Sequence, residues 1–448
     1  MATPDSVKYS SSPVESTSAD SELTIFRSEL NEYNPTNNKF IRINLPVADK
    51  SWIDWSDSVL SMKLTNMSYA TSGSDGPAHA AARTQLSNVI KSVSVINSQG
   101  QQIEYINNYN LIVNIMDDYT VGTSHKAGVD QLLGGGSPNG KPEEAITILG
   151  AAGNAGTASG GDKVLVDSLM TGFTSGQFLV PIGYCIGQSM SLVIELEDPA
   201  TCLALFNTTV TNLVAAYKVE NVQIRAKQIS FNSAFNQVFE ENLMEAGPEG
   251  INYITETFLH NQGTLTSGTS GQQNIQFSTN PRSAKYILAA MRLEADITNK
   301  QKYSIGLRSS AAIDQYSWEI SGKIYPTQPI EVKDDNVSES FANVLDCLGQ
   351  IGNINHNTLL SAKAGDSNLY YAANQATSQK FVSGLVLEDF NSATNGSTYS
   401  GANLSTVGTM SFRPRLNANL SGAYRVDFFT SCDMSLHITS DGRIYTVK

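Results

Sequence analysis

One phrase in the chain has the spacing of a phosphate-binding loop, Gly135-Gly136-Ser137-Pro138-Asn139-Gly140-Lys141, in which backbone N–H groups and a lysine would cradle phosphates. Pro142 stands where a Ser or Thr hydroxyl would hold magnesium, and no apolar strand leads in, so the phrase reads as a surface loop. The histidines, His79, His125, His260, His356 and His437, are scattered, with no pair at the i, i+4 spacing of a helical metal site. Glu195 and Glu197 could be paired catalytic carboxylates. They alternate with Ile194 and Leu196, however, as in a strand whose acids face water. Asp117-Asp118 and Asp334-Asp335 lack the other ligands of a calcium loop and read as helix-end and loop acids. No Gly-x-Ser-x-Gly elbow occurs. Cys185, Cys202, Cys347 and Cys432 lie far apart without a Cys-x-x-Cys pair and read as buried thiols rather than disulfides. The Asn-x-Ser/Thr triplets at Asn66, Asn207, Asn336, Asn395, Asn403 and Asn419 are what an Asn- and Ser-rich chain produces by chance. The pattern therefore names no catalytic, cofactor-binding or metal-ligating residue and calls for no cofactor.

Composition narrows the classes further. The 448 residues carry 29 Lys plus Arg against 42 Asp plus Glu, a net charge of −13. That balance argues against a nucleic-acid binder with a basic surface. Charged residues are only 16% and hydrophobic residues 40%, enough for a sizeable core and too apolar for a wholly disordered chain. No run approaches the ~18 apolar residues of a membrane span. Residues 1–22 hold Lys8 as their only base and no apolar block, so they are not a secretory signal, and synthesis in a cytoplasm is expected. Their Ser, Thr, Pro and acid content predicts a flexible arm that orders only against a partner.

The elements that follow are strands. Phe40 to Leu45 alternates with Ile41, Ile43 and Leu45 on one face, and Val59 to Met67 puts Leu60, Met62 and Leu64 together. Val89 to Ile96, turn residues Asn97 to Gly100, and Gln102 to Ile106 predict a hairpin. Ile106, Tyr109, Ile112, Ile115, Met116 and Tyr119 then recur at helical spacing. Gly122 to Gly176 reads as a surface insertion with small elements at Ala145 to Leu149 and Val164 to Met170. Phe178 to Ile182, Met190 to Leu196 and Tyr217 to Ile229 are read as strands.

The second half repeats this order. Ile251 to His260, Tyr286 to Ala295 and Trp318 to Tyr325 are strand-like, and a helical stripe follows at Phe341, Val344, Leu345 and Leu348. After a polar insertion, strands return at Phe381 to Leu387, Val407 to Phe412 and Tyr424 to Ile438. Gly100 and Gly322 are 222 residues apart, Phe178 and Phe381 203, and Tyr217 and Tyr424 207, which suggests two copies of one β domain. Phe235, Val238, Phe239 and Leu243 predict a helical connector. Eight or so strands with one helix and long loops suit a jelly roll, an immunoglobulin-like pair or a barrel, and the pattern favours a sandwich.

Short phrases carry a family resemblance. Phe40-Ile41-Arg42-Ile43-Asn44-Leu45-Pro46, Trp52-Ile53-Asp54 and Val59 to Leu64 resemble the opening strands of a first roll, and Val89 to Asn110 its hairpin and helix. Tyr217 to Ile224 is similar to the strand that ends it. Gly322-Lys323-Ile324-Tyr325-Pro326 resembles a "G-x-x-Y-P" strand of the second roll, with Ser340-Phe341 opening the helix after it. Tyr424 to Phe429, Leu436-His437-Ile438 and Arg443-Ile444-Tyr445 resemble closing strands. In this order the phrases resemble the double jelly-roll major capsid proteins of adenovirus hexons, polinton-like viruses, virophages and tailless icosahedral phages. The resemblance implies an all-β fold of two tandem eight-stranded jelly rolls with short helices and long surface loops. Its parts would be a 1–22 arm, a first roll at 23–230, a connector at 231–250 and a second roll at 251–448. It implies a non-enzymatic capsid subunit that forms pseudo-hexameric homotrimers tiling an icosahedral virion shell. The implied partners are the chain itself, neighbouring capsomers, and penton, minor capsid or cement proteins. The arm could also reach an internal membrane, and no specific nucleic-acid binding is implied. The alternative from another class is a tandem jelly-roll carbohydrate- or receptor-binding protein, although Trp52, Trp55 and Trp318 are few and strand-bound for a sugar platform.

Overall fold

The computed structural model describes residues 19–70, 78–79, 81–120, 146–148, 162–174, 178–206, 213–333, 337–350, 360, 370–371, 375, 379–388 and 401–448. The first half is built on β1 (Ala19–Arg27), β2 (Phe40–Pro46), β3 (Trp52–Asn66), β4 (Ile90–Asn97), β5 (Gln102–Asn107), β6 (Asp162–Asp167), β7 (Ser189–Leu196) and β8 (Tyr217–Phe231). These form two antiparallel sheets, in the orders β1-β8-β3-β6 and β2-β7-β4-β5.

The second half is built on β9 (Ile251–Leu265), β10 (Ile275–Phe277), β11 (Ala284–Leu293), β12 (Ile313–Ile320), β13 (Lys323–Glu331), β14 (Val382–Val386), β15 (Met410–Leu416) and β16 (Tyr424–Ile438). Its sheets run β9-β16-β11-β14 and β10-β15-β12-β13, the first-half orders with every strand number raised by eight. A last strand, β17 (Ile444–Val447), pairs with β16. The chain is a double jelly roll. Helix α1 (Tyr109–Thr120) follows β5, α3 (Ser338–Cys347) occupies the same place after β13, and α2 (Ser233–Glu245) joins the rolls.

Period-two burial explains the sheets. Along β2, Ile41, Ile43 and Leu45 are buried while their neighbours are exposed, and Leu60, Met62 and Leu64 are fully buried on β3. Each such side chain contributes roughly 1.5–3 kcal/mol on burial. The second roll is filled by rings: Phe277 stacks on Phe428 at 4.1 Å between centroids, and Trp318 lies 4.6 Å from Phe412. Connector α2 starts at Asn232, whose side chain accepts the Phe235 N–H at 2.9 Å. It is anchored by Phe239, which packs 4.5 Å from Trp52. Buried apolar side chains of both rolls form one continuous cluster.

Three expectations change. Ala19 to Glu22, placed in the arm by composition, begin β1 and pair with Phe231 to Gln228, because a neighbouring long strand can order polar residues that have no core of their own. Residues 1–18 lie outside the described residues. Phe178 to Ile182 is not a strand: it makes a single bridge from Val180 to Ile53 and enters a 3-10 turn. The counterpart of β14 is β6, inside the stretch read as an insertion, so Phe178 and Phe381 are not equivalent landmarks, whereas Gly100/Gly322 and Tyr217/Tyr424 are.

Candidate functional site

Among the described residues, those that sequence offered for chemistry are not brought together. The 135–141 phrase, His125, His356 and Asp334-Asp335 lie outside the described residues, and His79 sits on a two-residue strand (Ala78–His79). Glu195 is ion-paired to Lys39 at 2.8 Å and Lys91 at 3.0 Å. Glu197 does not face water: its carboxylate is buried and accepts from Asn110 Nδ2 at 2.8 Å and the Asp198 N–H at 2.9 Å. All four cysteines are free and buried. Burial pushes the Cys185 and Cys432 thiols up to about 12, away from nucleophilic use. The three tryptophans are buried.

Polar side chains converge instead on the seam between the rolls. Asp427 of β16 is completely buried and ion-paired to Arg292 at 2.8 Å and Arg425 at 3.0 Å, with His260 Nε2 in hydrogen-bond contact at 3.0 Å. Asn108, just past β5 in the first roll, reaches the same cluster, with Nδ2 3.2 Å from Asp427 Oδ1 and 2.9 Å from His260 Nε2. Burial alone would raise the Asp427 pKa, but Arg292, His260 and Arg425 overcome it and hold the carboxyl well below the usual range.

A second junction centres on Glu104 of β5. Its two oxygens accept the N–H groups of Gly172 at 2.9 Å and Phe173 at 3.1 Å, and Thr257 of β9 donates across the seam at 2.6 Å. Thr255 donates to the Gly172 carbonyl at 2.9 Å. Burial pushes the Glu104 carboxyl up, and these donors counter part of the rise. Gly172 has no room for a side chain, since a Cβ would stand 2.6 Å from the Glu256 carbonyl oxygen.

A third junction lies under α1. Asp118, read from sequence as a helix-end acid, is buried between Arg308 and Lys380 of the second roll, with the Lys380 ammonium at 3.2 Å. Tyr119 donates to the Lys380 carbonyl at 3.0 Å. Nearby, Tyr303 accepts from Asn88 at 2.8 Å and donates to Asn114 at 3.1 Å. A cleft of about 410 Å³ opens along the seam between Trp55, Met116, Leu169 and Phe258. Glu256 is the one titratable group lining it among the described residues, and it is engaged by Lys285, Tyr286 and Ser431.

These junctions work as fasteners. Buried charges and amides with several fixed partners each fix one relative placement of the rolls, because any slip leaves a charge or donor unpaired in a dry site. Sequence reasoning missed Asn108, His260, Asp427, Glu104, Arg308 and Lys380 because each has a partner 72 to 319 residues away. The available signal was polar residues at inward strand positions, as in Tyr424 to Phe429.

The fold defines the class, a double jelly roll. No protein-family model matches the chain, and no curated protein sequence matches it. Solved structures do, at low identity. The PBCV-1 virus capsid matches with 12% identity and a TM-score of 0.60, over 98% of this chain and 99% of that one. The Faustovirus major capsid protein matches with 10% identity and a TM-score of 0.61, over 96% and 92%. The Sputnik virophage structure matches with 10% identity and a TM-score of 0.60, over 100% and 92%. At these identities the likeness is one of fold.

Proposed function

We propose that this chain is a viral major capsid protein, a structural subunit that forms homotrimers of pseudo-hexagonal outline tiling an icosahedral shell. The observation that carries the reading is the full-length match of both rolls, in tandem, with structures taken from virus capsids. The physical logic supports it. Two similar rolls per chain, fastened by buried polar junctions, give six similar edges from three copies, and closed symmetry repeats one contact set without open growth. In this reading the protein is made in the host cytoplasm and resides in the virion capsid. It meets copies of itself, neighbouring capsomers, and penton or minor cement proteins, and the N-terminal arm ahead of β1 lies at the base or reaches a neighbour.

Light scattering on the purified protein tests this. The expected solution mass is three times the 48.2 kDa of the chain. A stable monomer at high concentration would overturn the capsomer and turn attention to ligand binding on the loops.

A further inference from the structure

The rolls repeat strand for strand, so each edge strand used between them within the chain has a counterpart in the other roll. Inside the chain, edge strand β5 of the first roll meets edge strand β9 of the second, with Glu104 against Thr257. The counterparts are β13 and β1, both edge strands and both exposed along most of their length. Their exposed residues include Leu23 at 57%, Ile25 at 46%, and Ile324 and Tyr325 at 41% each. Uncovered edges bearing large apolar side chains are a liability that folded proteins normally cover.

The registers give residue-level equivalence. β8 and β16 each run 15 residues from a tyrosine, and their far ends pair alike, Phe231 with Ala19 and Ile438 with Ile251. Superposing them sets Leu23 on Thr255 and Ile25 on Thr257, the two threonines that bond across the internal seam. The hairpins before β5 and β13 both turn on a left-handed glycine, Gly100 with φ +81° and Gly322 with φ +79°. From those turns Glu104 pairs with inward Val95, and Tyr325 with inward Trp318; the one-residue difference in length is the bulge at Ile103. Tyr325 therefore occupies the Glu104 position.

We propose that a second copy of this chain docks its β13 edge on the β1 edge of the first, seating Tyr325 and Ile324 against Ile25 and Leu23. The contact stands where Glu104 meets Thr257 inside each chain. This rests on the capsomer reading and assigns its interface. The two chemistries suit the two situations, since rolls joined by a covalent connector need only orientation, whereas copies meeting from solution need a hydrophobic driving force. Three such contacts, alternating with three internal seams, close a ring.

A double variant, Ile25→Cys with Tyr325→Cys, tests the contact under mild oxidation, the native thiols being buried. Covalent dimers and trimers on a non-reducing gel, lost on reduction and absent from either single variant, are expected. In parallel, Tyr325→Glu should take the solution mass from three times 48.2 kDa to a folded 48.2 kDa monomer, and adding Ile25→Lys should restore association. A wild-type trimer that neither cross-links nor responds to Tyr325→Glu would overturn this interface and leave the capsomer intact. A wild-type monomer without cross-links would overturn both. Should Tyr325→Glu fail to fold, the cross-link decides alone.

Discussion

Replacing Asp427 by asparagine keeps the volume and one acceptor but removes the charge that Arg292 and Arg425 share. Arg292, 5% exposed, would then be buried without its counter-ion 2.8 Å away. Breaking a buried pair from one side costs about 3–5 kcal/mol. Because the amide still accepts one bond and Arg425 is partly solvated, the low end applies, about 3 kcal/mol, or roughly 100-fold in the unfolding equilibrium. Guanidinium unfolding at one fixed protein concentration measures this with the same contribution from association in each variant. Asp427→Asn combined with Arg292→Met should recover at least about 1 kcal/mol relative to the sum of the single changes, since an apolar replacement of a buried pair is often neutral. A single-variant cost under about 1 kcal/mol, or strict additivity in the double variant, would refute the view that this buried ion cluster stabilises the fold.

Acid titration should show the same cluster from another side. The lowered pKa of Asp427 supplies stability present above the ordinary carboxylate value, which should fall away as pH drops below about 4 and be missing from Asp427→Asn. Asp167 behaves oppositely: burial, helped by the Asp117 charge, pushes its carboxyl up to about 7. Stability should therefore fall as pH rises from the ordinary carboxylate value of about 4 to about 7, and Asp167→Asn should flatten denaturation midpoints across that window. Gly172→Ala should cost about 1–3 kcal/mol in the same unfolding assay, because its Cβ meets backbone across the seam. The native protein should leave all four cysteines unmodified by a thiol reagent at about pH 8, with four titrating after denaturation; prompt reaction of the folded chain would contradict the burial.

Much of the fold was legible because jelly-roll strands advertise themselves by alternation. Ile41/Ile43/Leu45 and Leu60/Met62/Leu64 marked their strands, and the helical stripes at Tyr109 to Tyr119 and Phe341 to Leu348 marked α1 and α3. Strand β1 was hidden because its residues are mostly exposed, so no apolar period was present to read. Strand β6 was marked only as a small element at Val164 to Met170, because it is short and, among its residues whose burial is described, Leu165 alone is fully buried. The seam was illegible because its pairs, Asn108 with Asp427 and Asp118 with Arg308, join distant segments, and polar residues on strands look solvated until a second domain covers them. The connector helix was visible in Phe235, Val238, Phe239 and Leu243, of which Phe239 and Leu243 are buried and Val238 is exposed.

Electron microscopy of the purified wild-type protein bears most directly on the capsid-subunit reading. Particles of hexagonal outline with threefold symmetry, six roll-sized lobes each, are expected. A field of isolated two-lobed particles at concentrations well above micromolar would contradict it.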